Sequence, residues 1–329
     1  MVRGVQIELL KRFIDTCAAE KIFDGVHKVL IAVSGGADSL ALAELMINSR
    51  RRFNLELCIA HFEHGLRGQD SIDDATFVKA FATERGIKFI GGRGDVKAYA
   101  AAEKISVETA ARILRYEFLS KQNFDAIALA HHADDQAETI LMRLLRGASS
   151  SGLTAMKFRT LSKDYGLLIR PLLRFRKVEL EDFCRQRNLS PRVDATNFEL
   201  DATRNRIRLE LIPTLERFNP ALVETLCRLA EVTAEESDFI DAQAEEIFPV
   251  VVKGSSIVRA EFLKLHPALQ RVIIKKFLAQ VAGSAKDFGF VHFEGVRKVL
   301  INGLKGVELP KNLRANLTEG KLSITNNFY

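Results

Sequence analysis

Short apolar runs alternate with stretches of helical spacing over the first half of the chain. His27–Val33 (HKVLIAV), Leu55–Phe62 (LELCIAHF), Lys88–Ile90 and Ala126–His131 (AIALAH) read as strands. Ser39–Arg50, Asp70–Arg85, Val107–Lys121 and Asp134–Arg146 repeat their apolar positions every three or four residues and read as helices. Strands without a polar face, separated by helices, predict an α/β fold: a parallel sheet with helices on both faces. Leu167–Leu173 (LLIRPLL) is a fifth strand or an extended edge, because Pro171 has no N–H to give to a ladder. Ahead of the first strand, Arg3, Glu8, Lys11, Arg12, Asp15, Glu20 and Lys21 lie among apolar positions, the pattern of an amphipathic helix rather than of a signal peptide.

From about Ile207 the rhythm changes. Pro213 and Pro220 predict a hinge, Leu222–Phe248 a long helix closed by Pro249, and Pro267–Val281 and His292–Asn302 two more helices. Leu313–Asn326 alternates on either side of Glu319-Gly320, as a hairpin does. The expected organisation is therefore an α/β domain at 1–216 and a smaller, mostly helical domain at 217–329.

Charge sharpens this picture. The net charge is +6, and residues 157–217 hold 14 Lys+Arg against 9 Asp+Glu while the flanking regions are nearly balanced. A local cationic excess suggests a polyanionic partner, although a solvated basic surface gives the same count. There is no apolar run of about 18 residues, so no membrane span is expected. Cys17, Cys58, Cys184 and Cys227 are too scattered for a CxxC site, and a reduced, cytoplasmic compartment is the simplest setting.

The candidate chemistry lies where strands end. Ser34-Gly35-Gly36-Ala37-Asp38-Ser39 leaves the first strand and opens a helix. Two glycines permit a tight turn, the helix start offers unpaired N–H groups, and the serines add hydroxyls, which together suit phosphate or pyrophosphate. A merely capped strand–helix turn is the plainer alternative. There is no Gly-Lys-Ser/Thr triplet, and Lys97 spoils the GxGxxG that Gly92 and Gly94 begin. His61 and His64 follow the second strand. Glu108, Arg112 and Arg115 share a helix face, either as a solvated ladder or as anion ligands. His131, His132, Asp134, Asp135 and Glu138 cross from the fourth strand into its helix, and acids beside a phosphate cradle suit Mg2+.

The hexapeptide resembles the SGGxDS signature of the PP-loop, or N-type ATP pyrophosphatase, family. His61–Arg67 (HxxHGLR), Glu108–Tyr116 (ExxARxxRY), Ala130–Thr139 (AHHxDDQxET), Leu144–Gly147 (LLRG), Arg170–Leu173 (RPLL) and Arg204–Arg208 (RNxIR) then follow in the order found in tRNA(Ile)-lysidine synthetases. The resemblance is dense over residues 27–216. One departure is Ser149, where the family's RGxGxxGL turn has its middle glycine. Longer members carry a further C-terminal domain, and at 329 residues this chain looks like the short form.

The resemblance implies an adenine nucleotide alpha hydrolase-like sheet, ATP and Mg2+ as cofactors, and two substrates: free L-lysine and tRNA(Ile) with a CAU anticodon. It implies adenylation of the C2 oxygen of the wobble cytidine, then displacement of AMP by the lysine side-chain amine. Ser34, Gly35, Gly36, Ala37, Asp38 and Ser39 would hold phosphates, with Arg112 and Arg115 at the α-phosphate or adenylate. Asp38 and Asp135 would place Mg2+. Asp134 and Glu138 are open to either the metal or the lysine ammonium groups, and His132, Asp134 and Glu138 to the role of proton acceptor. His61, His64, Asp194, Asn197, Arg204 and Arg208 would contact base or tRNA, and structural roles remain open for the histidines and for the Asp194–Asn197 turn. The basic residues from Arg170 to Arg208 would meet tRNA phosphates. The rival within the superfamily is a tRNA sulfurtransferase, against which the lack of paired cysteines counts. A homodimer is compatible with the sequence but not specified by it.

Overall fold

This computed structural model describes residues 2–66, 68–148, 152–154, 156–192 and 202–326, and the chain divides into two compact units, Met1–Glu231 and Val232–Tyr329. In the first unit, strands β1 (Lys28–Ala32), β2 (Glu56–Glu63), β3 (Lys88–Arg93), β4 (Ala126–Ala128), β5 (Arg159–Ser162) and β6 (Gly166–Ile169) form one sheet in the order β3-β2-β1-β4-β6-β5. All neighbours are parallel except β5, which returns antiparallel on β6. The predicted fifth strand is β6. It stops at Ile169, one residue before Arg170-Pro171, and β5 is an edge partner that the apolar pattern did not show.

The helices are α1 (Val2–Ala19), α2 (Ala37–Ser49), α3 (Gln69–Glu84), α4 (Val96–Glu103), α5 (Val107–Ser120), α6 (Ala133–Leu145) and α7 (Lys177–Gln186). On α1, Leu9, Phe13 and Cys17 recur four apart and are buried, while Glu8, Lys11, Arg12 and Asp15 are exposed. They join Leu40, Leu42 and Leu45 of α2 and Leu180, Phe183 and Cys184 of α7 in one core. Tyr116 and Leu119 of α5 close a second core with Leu30, Cys58, Ile127 and Leu168, so both faces of the sheet are covered.

Residues 202–216 form one helical run instead of a hinge: α8 (Ala202–Arg206), a π-helical turn (Ile207–Leu211) and α9 (Ile212–Glu216). Pro213 is the physical reason for the irregularity. Its ring cannot accept a normal helical turn before it, and Ile212 donates to Ile207 O in the wider register. Pro220 lies in the turn that follows. The next helix, α10 (Leu222–Val251), continues through Pro249, since a proline in the last turn removes only one hydrogen bond.

The second unit adds α11 (Arg259–Phe262), α12 (Pro267–Ala282) and α13 (Phe290–Asn302). It also carries β7 (Val252–Lys253), β8 (Ser256–Val258), β9 (Gly306–Leu309), β10 (Leu313–Thr318) and β11 (Lys321–Asn326) in the order β7-β8-β11-β10-β9. The expected hairpin is β10–β11, turning at Glu319 and Gly320, both with positive φ. The antiparallel sheet around it was not expected. Ile274, Phe277, Val296, Leu300, Ala315 and Leu322 fill the core between helices and sheet.

Candidate active site

The strand order reverses at β1 and β4, so their carboxyl ends lie side by side, the place where open α/β sheets bind ligands. The segments leaving them are the two richest in candidate chemistry. Gly35 has φ +99°, a conformation that a side chain resists. The turn is braced internally: the Ser39 hydroxyl donates to Gly36 O at 2.9 Å and accepts from Ser34 N–H at 3.2 Å and Gly35 N–H at 3.3 Å. Gly36 caps α2 with no side-chain partner, leaving its first N–H groups open to an anion. Arg192, expected with the other basic residues to meet tRNA, instead braces the cradle: its N–H donates to Gly35 O at 3.0 Å and its side chain pairs with Asp74 of α3 at 2.5 Å.

From β4, His132 turns toward this cradle. Its Nε2 lies 3.6 Å from Asp38 and 3.5 Å from Asp135, and its Nδ1 lies 3.5 Å from Asp134. Burial disfavours charge on the imidazole, but Asp135, Asp134 and Asp38 outweigh it and hold the pKa up at about 10. Asp135 also accepts the His132 N–H at 3.0 Å, closing the first turn of α6. His131 faces differently. Burial, with Arg170, Arg115 and Arg112 nearby, outweighs Asp135 and pushes its pKa down to about 3.

Asp134 and Glu138 share a face of α6, as their spacing requires, but meet different partners. Asp134 accepts Lys177 N–H at 2.7 Å and Arg176 Nε at 3.1 Å, while Arg176 also reaches Glu216 and Glu224 at 3.0 Å each. Burial alone would raise the Asp134 pKa, yet His132, the Lys177 N–H and Arg176 together hold it far below the usual carboxylate range. Glu138, 1% exposed, receives Arg204 Nε at 2.6 Å and Arg208 Nε at 2.5 Å. The same guanidiniums lie 3.3 and 3.6 Å from Asp135. Ile207 and Ile212 pack with Ala133, Ala137 and Leu141, which seats this arginine-bearing run on α6.

The remaining candidates spread over the rim. His61 is buried and pairs through Nδ1 with Val33 O at 2.9 Å, tying the tip of β2 to that of β1; burial keeps its pKa low. His64 sits edge-on to Phe62 with ring centroids 5.1 Å apart. Arg112 and Arg115 flank the Tyr116 ring at 5.1 and 5.2 Å, with no ladder to Glu108 among the described contacts. Asp194, Asn197, Arg67 and Ser149 lie outside the described residues.

The basic stretch is less available to a polyanion than its charge implied. Arg174 pairs with Glu20 and Glu231, Arg176 with three acids, Arg192 with Asp74, and Arg204 and Arg208 with Glu138. Arg170 is 7% exposed. Among the described residues no three His, Cys, Asp or Glu side chains converge into a metal cage, and no helix is long and apolar enough to cross a membrane.

A parallel sheet with a glycine-serine cradle beside an acid cluster at its switch point is the site of a PP-loop protein, and residues 6–215 match the PP-loop domain family model. The chain is 36% identical over 294 residues to tRNA(Ile)-lysidine synthase of Clostridium perfringens, covering 87% of this chain and 62% of that protein. It is 33% identical over 325 residues to tRNA(Ile)-lysidine synthase of Clostridium acetobutylicum, covering 96% of this chain and 70% of that one. The chain belongs to the tRNA(Ile)-lysidine synthase family. It spans about three fifths of the length of the first of these relatives. Among solved structures, the U34-tRNA thiolase NcsA from Methanococcus maripaludis with its [4Fe-4S] cluster shares the fold, with a TM-score of 0.58 and 20% identity over 70% of this chain and 79% of that one.

Proposed function

We propose that the chain acts as an ATP-dependent carbon–nitrogen ligase that joins free L-lysine to C2 of the wobble cytidine in an isoleucine tRNA with a CAU anticodon, in the cytoplasm. In the first step the C2 oxygen attacks the α-phosphorus of ATP, and the bond to the β,γ-pyrophosphate breaks. In the second, the side-chain amine of lysine attacks C2, loses a proton, and AMP departs with the oxygen. An ester to AMP makes a poor leaving group into a good one, which is why two steps are faster than one.

The observation that carries the reading is the convergence on His132 of Asp38, from the first turn of α2, and Asp135, from the first turn of α6, directly beside the Ser34–Ser39 cradle. The N–H groups and hydroxyls of the cradle suit the β and γ phosphates, and Arg112 and Arg115 suit the α-phosphate. Magnesium fits this site: Asp38 Oδ1 is shielded from solvent and lacks a hydrogen-bond partner, and Mg2+ typically takes one or two carboxylates plus phosphate oxygens. Asp38 and Asp135 would hold the ion, which when bound offsets charge on the leaving pyrophosphate. Asp134, His132 and Glu138 form the wall facing lysine; the three acids around His132 keep it protonated, which leaves the carboxylates of Asp134 and Glu138 to take the amine's proton. Arg204 and Arg208, oriented by Glu138, would contact tRNA, as would His64, while His61 ties the rim together.

Sulfur transfer fits the thiols poorly. Burial raises the pKa of all four, to about 11 for Cys58, about 12 for Cys184 and Cys227, and higher for Cys17, so none is a ready thiolate. The test is pyrophosphate release with ATP, lysine and a bulk tRNA pool. Release that needs both tRNA and lysine for a full turnover supports the ligase. Release with tRNA and a sulfur donor, indifferent to lysine, sinks it.

A further inference from the structure

Near the carboxyl ends of β4 and β6, three guanidiniums have no carboxylate partner among the described residues. Arg174, Arg176, Arg192, Arg204 and Arg208 each sit beside a carboxylate, whereas Arg112, Arg115 and Arg170 have none within ion-pair distance among the described residues. Arg170 is 7% exposed. Its Nη1 donates to Lys157 O and to Thr160 Oγ1, both at 2.9 Å, which fixes the plane of the group, and its Nε is shielded from water without an acceptor. The Arg115 Nε is shielded and unpaired in the same way. Arg112 and Arg115 both stand over the ring of Tyr116, itself 1% exposed and stacked on Tyr165 at 5.0 Å. Burial disfavours charge on Arg115 and Arg170, and the neighbouring Arg112 adds to it.

Arg170 is buried, Arg115 half-buried and Arg112 exposed, and like charges gathered around shielded guanidinium nitrogens are costly unless an anion completes them. Planar guanidiniums match the oxygens of a phosphoryl group with paired hydrogen bonds. We propose that Arg170 is the innermost member of a phosphoryl receptor formed with Arg112 and Arg115, and not a surface contact for tRNA. The inference rests on the proposed function, which supplies two phosphoryl sources: the nucleotide, as ATP or AMP, and a phosphodiester of the RNA flanking the modified cytidine.

The test compares the parent chain with Arg170→Gln and with Arg170→Lys, which keeps the charge but not the fork. Circular dichroism and Tm report folding. Affinities are measured for AMP, for a non-hydrolysable ATP analogue, and for an anticodon stem-loop RNA. Losing charge-assisted hydrogen bonds to phosphate predicts a weakening of roughly ten- to a hundredfold in Arg170→Gln. Saturating AMP should also raise the Tm of the parent more than that of the variant. Weakened nucleotide binding with unchanged RNA binding assigns the receptor to the nucleotide, and the reverse assigns it to RNA. Parental affinity for all three probes in a folded variant, with or without a lower Tm, overturns the proposal, because Arg170 would then be structural. If Arg170→Gln does not fold, Thr160→Val decides the matter. It frees Nη1 without removing charge and should weaken the same probe severalfold; unchanged affinity overturns the proposal. A parent chain that binds neither ATP nor AMP refutes the ligase reading instead.

Discussion

Replacing Glu138 by Gln probes the most heavily paired carboxylate of the site. Its side chain is 1% exposed and meets Arg204 at 2.6 Å and Arg208 at 2.5 Å, and each arginine is 32% exposed. Removing one partner of a fully buried ion pair costs about 3–5 kcal/mol. Here water reaches about a third of each guanidinium, and Asp135 remains 3.3 and 3.6 Å away as a second counter-charge. Both features screen the loss, so about 1–3 kcal/mol is expected. For a folding unit of this size that corresponds to a Tm lower by roughly 3–10 °C. Calorimetry and urea titration measure it, with Glu138→Asp as a control that keeps charge but shortens the reach. A double-mutant cycle with Arg208→Gln should show a coupling above about 0.5 kcal/mol. A Tm within a degree of the parent, together with additive single replacements, would refute the account of α6 and the 202–216 run as held by this carboxylate. The same variant separates the chemical steps. With lysine as its ligand, Glu138→Gln should raise the lysine requirement while adenylated tRNA accumulates; a quench that traps no adenylate at any lysine concentration places Glu138 in the first step instead.

Asp38→Ala should abolish ATP-dependent AMP formation with an unchanged circular dichroism spectrum, because the residue faces His132 rather than the core; retained turnover would remove it from the nucleotide site. Glu179 accepts from Arg12 at 2.6 and 2.8 Å and from Arg176 N–H at 2.8 Å, and although burial opposes it, these donors depress its pKa below the usual 4.5. Its stabilisation is therefore complete above that value and is lost as pH falls through the depressed one, so Glu179→Gln should flatten the acid side of a stability–pH curve; an identical acid limb in both proteins contradicts this. Cys17, Cys58 and Cys184 are buried and Cys227 partly so, all with raised pKa values, so iodoacetamide at pH 8 should label them only after unfolding. Prompt labelling of the native protein would show a thiolate that the structure does not provide.

The pattern of residues by itself determined the parallel sheet and most of its helices. Buried parallel strands must be apolar on both faces, and helices between them must present one apolar stripe, so β1, β2, α2, α3, α5 and α6 are legible at close to their true limits, while β4 starts where expected at Ala126 but ends at Ala128, three residues before the predicted His131. The cradle was legible too, since glycine and serine at a strand–helix turn act through local backbone geometry. β5 was hidden because an edge strand with one covered face carries little apolar signal, and in the second unit only the β10–β11 hairpin alternates visibly, since β7 and β8 are two and three residues long. The partners of each charge were decided only by the tertiary structure. Arg170, Arg176, Arg204 and Arg208 look equivalent as a basic run. Folding buries the first with no counter-ion among the described residues, clamps the second on Asp134, and lays the last two on Glu138, more than 60 residues away in sequence. Local preference acts over a helical turn, whereas Coulomb attraction and desolvation depend on which groups the packing of α6, α7 and the 202–216 run brings within a few ångströms.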